Sequence, residues 1–397
     1  MTLHQNRGKV LPLDPKTLAA DGALALIGPT ADNANNLLGN YAAAATEGPG
    51  MAVSILAGLQ SWSGGGATIG KIAHADGCND VTCNSTGGFA AAVGLAKKAK
   101  VTVLVIGTRV SGDNKQDPDG PCHSNVACEG EAHDRNSTRF GGHQVDLAEA
   151  LAKSKTGVPL VCVFVHGAAM TVGSLFTSCD AVIDAGFPGT QGGNGFADVL
   201  YGAFSPAGRA ATTFYPDDNE LPKSEGEMDL YAGKGLTYRH YTGKPTIAFG
   251  SGMSYTTFAY RNLKLNASTV GHCDAVAVSV DVHNTGSVDS DEVVQLYTTT
   301  ANASVPAPRV RLADFARVHI KAGAVATVSL SVAPKYHSVV MENVAGWEPR
   351  FWEPTIAVEA GAFAVHVGGG QPGFAEGVLT AQVAVRAGGS LSGCGSG

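Results

Sequence analysis

Charge is scarce in this chain. Asp, Glu, Lys and Arg make up 15% of its 397 residues, well under the roughly 25% usual for soluble domains. There is no basic excess either: the formal net charge is −7. Nothing here would neutralise a phosphate backbone, which argues against nucleic acid as a partner. No apolar run approaches ~18 residues, so no membrane-spanning helix is expected. The start, Met1-Thr-Leu-His-Gln-Asn-Arg7, has no apolar stretch of the kind a secretory leader needs. No G-x-S-x-G elbow occurs, so a serine hydrolase would have no obvious nucleophile. Gly65–Lys71 (GGATIGK) nearly spells a phosphate-binding loop, but Ile72 stands where Ser or Thr should hold magnesium. A glycine-rich turn between a helix and a strand is the better reading, and a nucleotide-binding α/β protein falls with the motif. No cofactor and no metal are called for.

Glycine, by contrast, is abundant at 52 residues, with 18 prolines and 44% apolar residues. That composition predicts a folded chain rich in tight turns and close backbone approaches. The length suits two or three domains. Eight cysteines are too few for a disulfide scaffold, but two pairs are local: Cys78 with Cys83, and Cys122 with Cys128. Disulfides are the favoured reading. Free thiols or a metal site stay open, since His123 and His133 flank the second pair. N-x-[ST] sequons start at Asn84, Asn136, Asn266 and Asn302, which suits a glycoprotein of the secretory pathway or the extracellular space.

The first half alternates apolar runs with amphipathic segments. Ala23–Gly28, Val101–Gly107, Val158–Val165 and Ala181–Asp184 are continuous apolar runs, with Gly70–His74 a weaker case. Such runs fit strands buried on both faces of a parallel sheet. Met51–Trp62, Phe89–Lys98, Gln144–Lys153 and Gln191–Tyr201 are the helix candidates between them. The expected fold class is therefore an open, mostly parallel α/β sandwich, with ligands beyond the strands' carboxyl ends. After Phe258 the period changes. Val276–Val282, Glu292–Thr298, Arg317–Ile320, Ala326–Val332 and Phe363–Val367 alternate or are β-branched, which argues for an all-β immunoglobulin or fibronectin III-like sandwich. The expected division is 1–216 for the α/β domain, 217–262 for a linker, 263–386 for the β-sandwich and 387–397 for a flexible Gly/Ser tail.

The richest polar stretch is the long loop from Arg109 to Gly142, which carries Glu129-Gly-Glu131-Ala-His133-Asp134-Arg135. A loop of this length in an α/β domain tends to be functional. Two glutamates at i, i+2 beside an Asp-Arg pair offer acid/base chemistry, with Arg135 holding one carboxylate ionised while a neighbour keeps its proton. On spacing alone, a solvated charge cluster that merely closes the loop is the favoured reading.

Several motifs carry a family resemblance. ALALIGP with Leu38-Gly-Asn-Tyr41, Gly77-Cys78 to Cys83-Asn-Ser-Thr, and Glu129 to Arg135 resemble segments of glycoside hydrolase family 3, in its β-xylosidase/α-arabinofuranosidase branch. Ala185 to Gly193 (AGFPGTQGG), Ser205-Pro-Ala-Gly-Arg209, Leu236 to Pro245 and Phe249-Gly-Ser-Gly-Met-Ser-Tyr-Thr-Thr-Phe258 are similar to further signatures. Asn284-Thr-Gly286, Asp291 to Tyr297 and Leu312 to Arg317 resemble the fibronectin type III-like domain that ends many members. The resemblance covers nearly the whole chain, in order. It implies exo-acting, retaining hydrolysis of xylan-derived oligosaccharides, in which one carboxylate attacks the anomeric carbon and another protonates the leaving oxygen, about 5–5.5 Å apart. In the family the nucleophile lies on a preceding (β/α)8 barrel and the acid/base on the α/β sandwich. Matching the E-x-x-D-R pattern makes Glu131 the acid/base, with Glu129 second, and Asp134 and Arg135 substrate-binding candidates. Burial under the barrel face would help the acid keep its proton.

The sequence departs from the family in three ways, the least of them Ala210 and Ala211 after Arg209, where Leu-Pro is usual and a packing variation explains the change. It opens where the barrel-to-sandwich linker should run, so it is expected to act as a fragment that needs a separately encoded or missing barrel. Its acid/base loop is also about 15 residues longer, from Val110 to Ala127. The competing expectation is a non-catalytic carbohydrate-binding or interaction module. Sugar identity and the pairing of Cys162, Cys179, Cys273 and Cys394 are left open, and Cys162, inside an apolar run, reads as a small buried hydrophobe.

Overall fold

The computed structural model describes residues 1–41, 52–110, 122, 124–154, 157–222, 226–341 and 355–394. Its first layer is a six-stranded sheet. β1 (Thr2–Asn6), β2 (Leu24–Ile27), β3 (Ala73–Ala75), β4 (Val101–Gly107), a two-stranded ribbon of β5 (Arg109–Val110) and β6 (Cys128–Glu129), β7 (Leu160–Val165) and β8 (Ala181–Asp184) follow in chain order. The sheet order is β1-β8-β7-β4-β2-β3, with the ribbon lying outside it. All its pairings are parallel except β1 with β8.

The continuous apolar runs have a simple cause. Every residue of β2, β4 and β7 is buried, because helices cover both faces of the sheet. Leu24, Leu26, Val103 and Val105 pack with α1 (Ile55–Ser61) and a helix at Gly192–Leu200. Ile27, Leu104, Ile106 and Phe164 point the other way, onto α2 (Phe89–Ala96), α3 (Gln144–Ser154) and α4 (Gly173–Ser178). This period-2 partition makes two cores from one sheet. The Gly192–Leu200 helix is α5, and a short α6 spans Thr237–His240. Chain order reverses between β2 and β4, so their carboxyl ends open the crevice where α/β sheets place ligands.

The second unit is all-β. Strands β9 (Phe258–Leu265), β10 (Thr269–Val270), β11 (Val276–Asn284), β12 (Ser290–Thr300), β13 (Arg311–Ile320), β14 (Val325–Val332), β15 (Val339–Met341), β16 (Thr355–Val358), β17 (Gly361–Gly368), β18 (Leu379–Val385) and β19 (Gly389–Ser390) form its sheets. The two main ones run β10-β18-β17-β12-β13 and β14-β11-β9. Val276, Val278, Val280 and Val282 alternate inward and meet Val365, Val367 and Val383 across the sandwich. The α/β sandwich followed by a β-sandwich agrees with the sequence expectation.

Three details differ from it. β9 starts at Phe258 and pairs with β11, so the expected linker end at 262 falls inside a strand. Its exposed Arg261 and Asn262 hide the alternation. Residues 387–394 are not a free tail: Gly389–Ser390 pairs with Val358 and Ala357, and Cys394 is bonded to Cys273. Gly/Ser composition carries no trace of a crosslink made 121 residues away. Cys162 is fully buried, as a hydrophobe would be, but it is joined to Cys179 at the end of α4.

The two units share a polar junction. Arg209 Nη2 donates to Glu292 Oε2 at 2.6 Å, and Tyr260 Oη donates to Glu292 Oε1 at 2.6 Å. Burial pushes the Glu292 carboxyl up, and Arg209 and Tyr260 pull against it. Gly250 has φ +76°, and a Cβ there would sit 2.2 Å from Gln295 Oε1, so the Phe249-Gly-Ser-Gly motif needs its first glycine for both conformation and space.

Candidate active site

Four loops meet at the carboxyl edge of the sheet around a cleft of about 910 Å³. Asn40 and Tyr41 come from the loop after β2, and Glu129, Gly130 and residues 133–138 from the long loop after β4. Gly167 and Ala168 follow β7, and Phe187 follows β8. Asp218, Glu227 and Leu236 close the far wall.

The two glutamates of the long loop have opposite surroundings. Glu129 ends β6 and is 6% exposed. Its carboxylate accepts from the backbone amides of Gly167 at 2.7 Å and Ala168 at 2.8 Å, and from the Thr108 hydroxyl. Arg135 Nη1 lies 3.7 Å from it. Glu129 thus ties the loop after β4 to the loop after β7, and its lone pairs are spent on that task. His166 braces the same turn, with its ring nitrogens 2.7 Å from Ala168 O and 2.9 Å from Asp184 Oδ1. Burial alone would push Asp184 up, but bonds from His166 and His4 outweigh it and hold the carboxyl well below the usual carboxylate range.

Glu131 is exposed. Gly130 and His133 exchange backbone bonds of 3.1 Å in both directions, which leaves Glu131 and Ala132 as the tip of a tight turn. Ala132 has φ +56°, the left-handed conformation that the third residue of a type II turn requires and that glycine adopts more readily. Gly130 is pressed on Asn40: an added Cβ would lie 2.3 Å from Asn40 Oδ1. That approach brings the turn beside Tyr41, whose hydroxyl donates to the Glu131 carboxylate. The same carboxylate, then burial, push the Tyr41 phenol up.

Asp134 is exposed on the cleft wall. Arg135 also borders the cleft, but its side chain is 5% exposed and turned inward. Its Nη2 donates to the carbonyls of Ser137 at 2.9 Å and Arg139 at 3.0 Å. Burial pulls the guanidinium below its ordinary value, while Glu129 and Asp218 pull it back. Asp218 accepts from Ser137 Oγ at 2.7 Å and Thr138 N at 2.8 Å, pinning the loop's end to the segment that follows α5. Sequence reasoning did not single out Thr108, Asp218 or the Gly167-Ala168 amides. Tyr41 was visible only as part of the Leu38-Gly-Asn-Tyr motif.

Cys78 is bonded to Cys83 and Cys122 to Cys128, so those sulfurs are engaged with each other rather than with a metal. His123 and residues 111–121 of the long loop lie outside the described residues. Asn84, Asn136, Asn266 and Asn302 are all exposed.

Residues 1–255 match the model of the glycosyl hydrolase family 3 C-terminal domain. The chain belongs to that family. Residues 292–371 match the fibronectin type III-like domain. A β-xylosidase of Formosa agariphila is 30% identical over 371 residues, covering 92% of this chain and 46% of that protein. The periplasmic β-glucosidase of Salmonella typhimurium is 30% identical over 366 residues, covering 84% of this chain and 43% of that protein. The chain therefore spans less than half the length of these family 3 relatives. Among solved structures, a family 3 exo-β-xylosidase in complex with a xylobiose aziridine probe superposes with a TM-score of 0.76 at 24% identity, over 98% of this chain and 47% of that one. A β-glucosidase of Listeria innocua in complex with isofagomine gives 0.73 at 24% identity, over 97% and 48%. These two likenesses concern the fold. The relatives are named as hydrolases, which does not favour the binding-module alternative. Among the described residues, no helix is long and apolar enough to cross a membrane.

Proposed function

We propose that this chain carries the acid/base part of a retaining, β-xylosidase-like glycosidase that removes terminal sugars from xylan-derived oligosaccharides. Glu131 is the acid/base in this reading, and Glu129 is its anchor. The observation that carries it is the division of labour within one loop. Glu129 is buried with its oxygens occupied, while two residues later Glu131 is held out on an exposed turn tip against Tyr41, which lines the cleft. An acid must reach the leaving oxygen, and only the second glutamate has a free approach. Tyr41 orients it. Asp134 faces the cleft and suits sugar hydroxyls, whereas Arg135 acts through Glu129. The nucleophile would come from a barrel domain packed over this edge, which would also enclose Glu131.

The β-xylosidase and β-glucosidase relatives support the reaction class. Four disulfides and four exposed sequons support an extracellular or secretory setting for a glycoprotein. The test is hydrolysis of aryl β-xyloside by the chain alone and with the barrel domain of the Formosa relative added. Turnover that needs both parts and is lost in Glu131→Gln supports the proposal. Turnover that survives Glu131→Gln overturns it.

A further inference from the structure

One face of the molecule runs against its negative net charge. Arg239 on α6, Arg309 just before β13, Arg311 at its start, and Lys335 in the turn Pro334–His337 come together where α6 meets the β-sandwich. Their contacts fix the cluster. Arg309 N donates to Arg239 O at 2.8 Å, Arg311 Nη1 donates to Lys335 O at 2.9 Å, and Leu312 N donates to Tyr238 Oη at 3.2 Å. Arg239, Arg309 and Lys335 are exposed. Among the described residues none of the four cations is in an ion pair, although Arg139, Lys153, Lys234 and Arg317 all are. The nearby carboxylates are committed elsewhere. Glu220 holds Lys234 at 2.8 Å and the Tyr241 hydroxyl at 3.0 Å, and Asp229 caps Tyr231 N at 2.9 Å. The local field is felt by two histidines: burial, then Arg239 and Arg311, pull His240 down against a smaller opposing pull from Asp229, and burial, then Arg311, pull down His337.

Aromatic rings adjoin the cations. The Arg239 guanidinium lies 5.8 Å from the Tyr238 ring centroid, and Tyr231, 46% exposed, packs edge-on against His240. Guanidinium groups pair with planar carboxylates, and an exposed ring beside them offers a face to the C–H side of a sugar. We propose that this patch binds a uronate-bearing polysaccharide, its carboxylates on Arg239, Arg309 and Arg311. Leu236, three residues before Arg239, lines the candidate active-site cleft, so a polymer held here is also held near the site. The choice of polysaccharide rests on the glycosidase reading. A chain that binds uronate polymer but hydrolyses nothing would fail that reading while leaving the patch assigned.

The test is affinity electrophoresis of the full chain in polygalacturonate, in neutral arabinoxylan and against poly-glutamate, at low and high salt. The expected result is retardation by polygalacturonate alone, weakened by salt and reduced about ten-fold in Arg239→Gln/Arg311→Gln. Lys97→Gln, an exposed lysine on another face, should change nothing. Thermal melts check folding, and if the double variant is unfolded, Arg239→Gln alone carries the test. Absent retardation, equal loss in Lys97→Gln, or equal binding of poly-glutamate would overturn the proposal.

Discussion

The cleft and the domain junction each bury a glutamate beside an arginine, and the two are built differently. At the junction Glu292 lies on a regular strand and meets Arg209 at 2.6 Å, with one tyrosine hydroxyl as its other side-chain donor. At the cleft Glu129 ends a two-residue strand, takes two backbone amides and a hydroxyl, and keeps Arg135 at 3.7 Å. The first is a charge pair that fastens two units together. The second is a loop clamp whose arginine supports from behind. Opposite charge in direct contact suits a bolt between rigid elements, whereas backbone amides can hold an irregular loop in one shape.

That contrast predicts a ranking of losses. Arg209→Ala strands a buried carboxylate and should cost about 3–5 kcal/mol in denaturant unfolding, while the double change Arg209→Met/Glu292→Met should cost much less. His337 is the limiting case of a buried group whose Nε2 has no partner among the described residues. Burial and Arg311 push it down to about 4. The fold therefore favours the neutral ring, so stability should fall as pH drops from about 6.5 to about 4 and then level off, by roughly 3 kcal/mol in all. His337→Leu should flatten that slope in a pH series of melts. Glu129→Ala should cost about 2–3 kcal/mol and speed hydrogen exchange at the Gly167 and Ala168 amides. The smallest effect belongs to Ala132→Gly, which should change stability by less than about 1 kcal/mol, on the stabilising side, by relieving the left-handed turn.

Legibility in the sequence followed the same division. The strands β2, β4 and β7 were plain because burial on both faces leaves uninterrupted apolar runs. β1, with the burial of only Thr2 and Leu3 to mark it, was not. At the site, chemistry-bearing side chains could be listed from Glu129-Gly-Glu-Ala-His-Asp-Arg, but their roles could not. Two residues of separation put one glutamate in the protein and the other at the tip of a turn. What decides this is the backbone amide pair of Gly167 and Ala168, residues with no polar side chain to signal the contact, and the turn set by Gly130 against Asn40. The Arg209–Glu292 bolt was equally silent, since its halves lie 83 residues apart.

The central claim is that Glu131 does the chemistry and Glu129 the holding. It is tested most directly by azide rescue of aryl β-xyloside turnover in the barrel-complemented enzyme. Azide attacks a glycosyl-enzyme without needing a general base, so it restores turnover only where the acid/base is missing. Glu131→Ala should fold normally, lose turnover by about 10²–10⁴-fold, and recover with azide, giving the glycosyl azide. Glu129→Ala should lose stability and gain nothing from azide. Rescue of the Glu129 variant, with none for Glu131, would contradict the account.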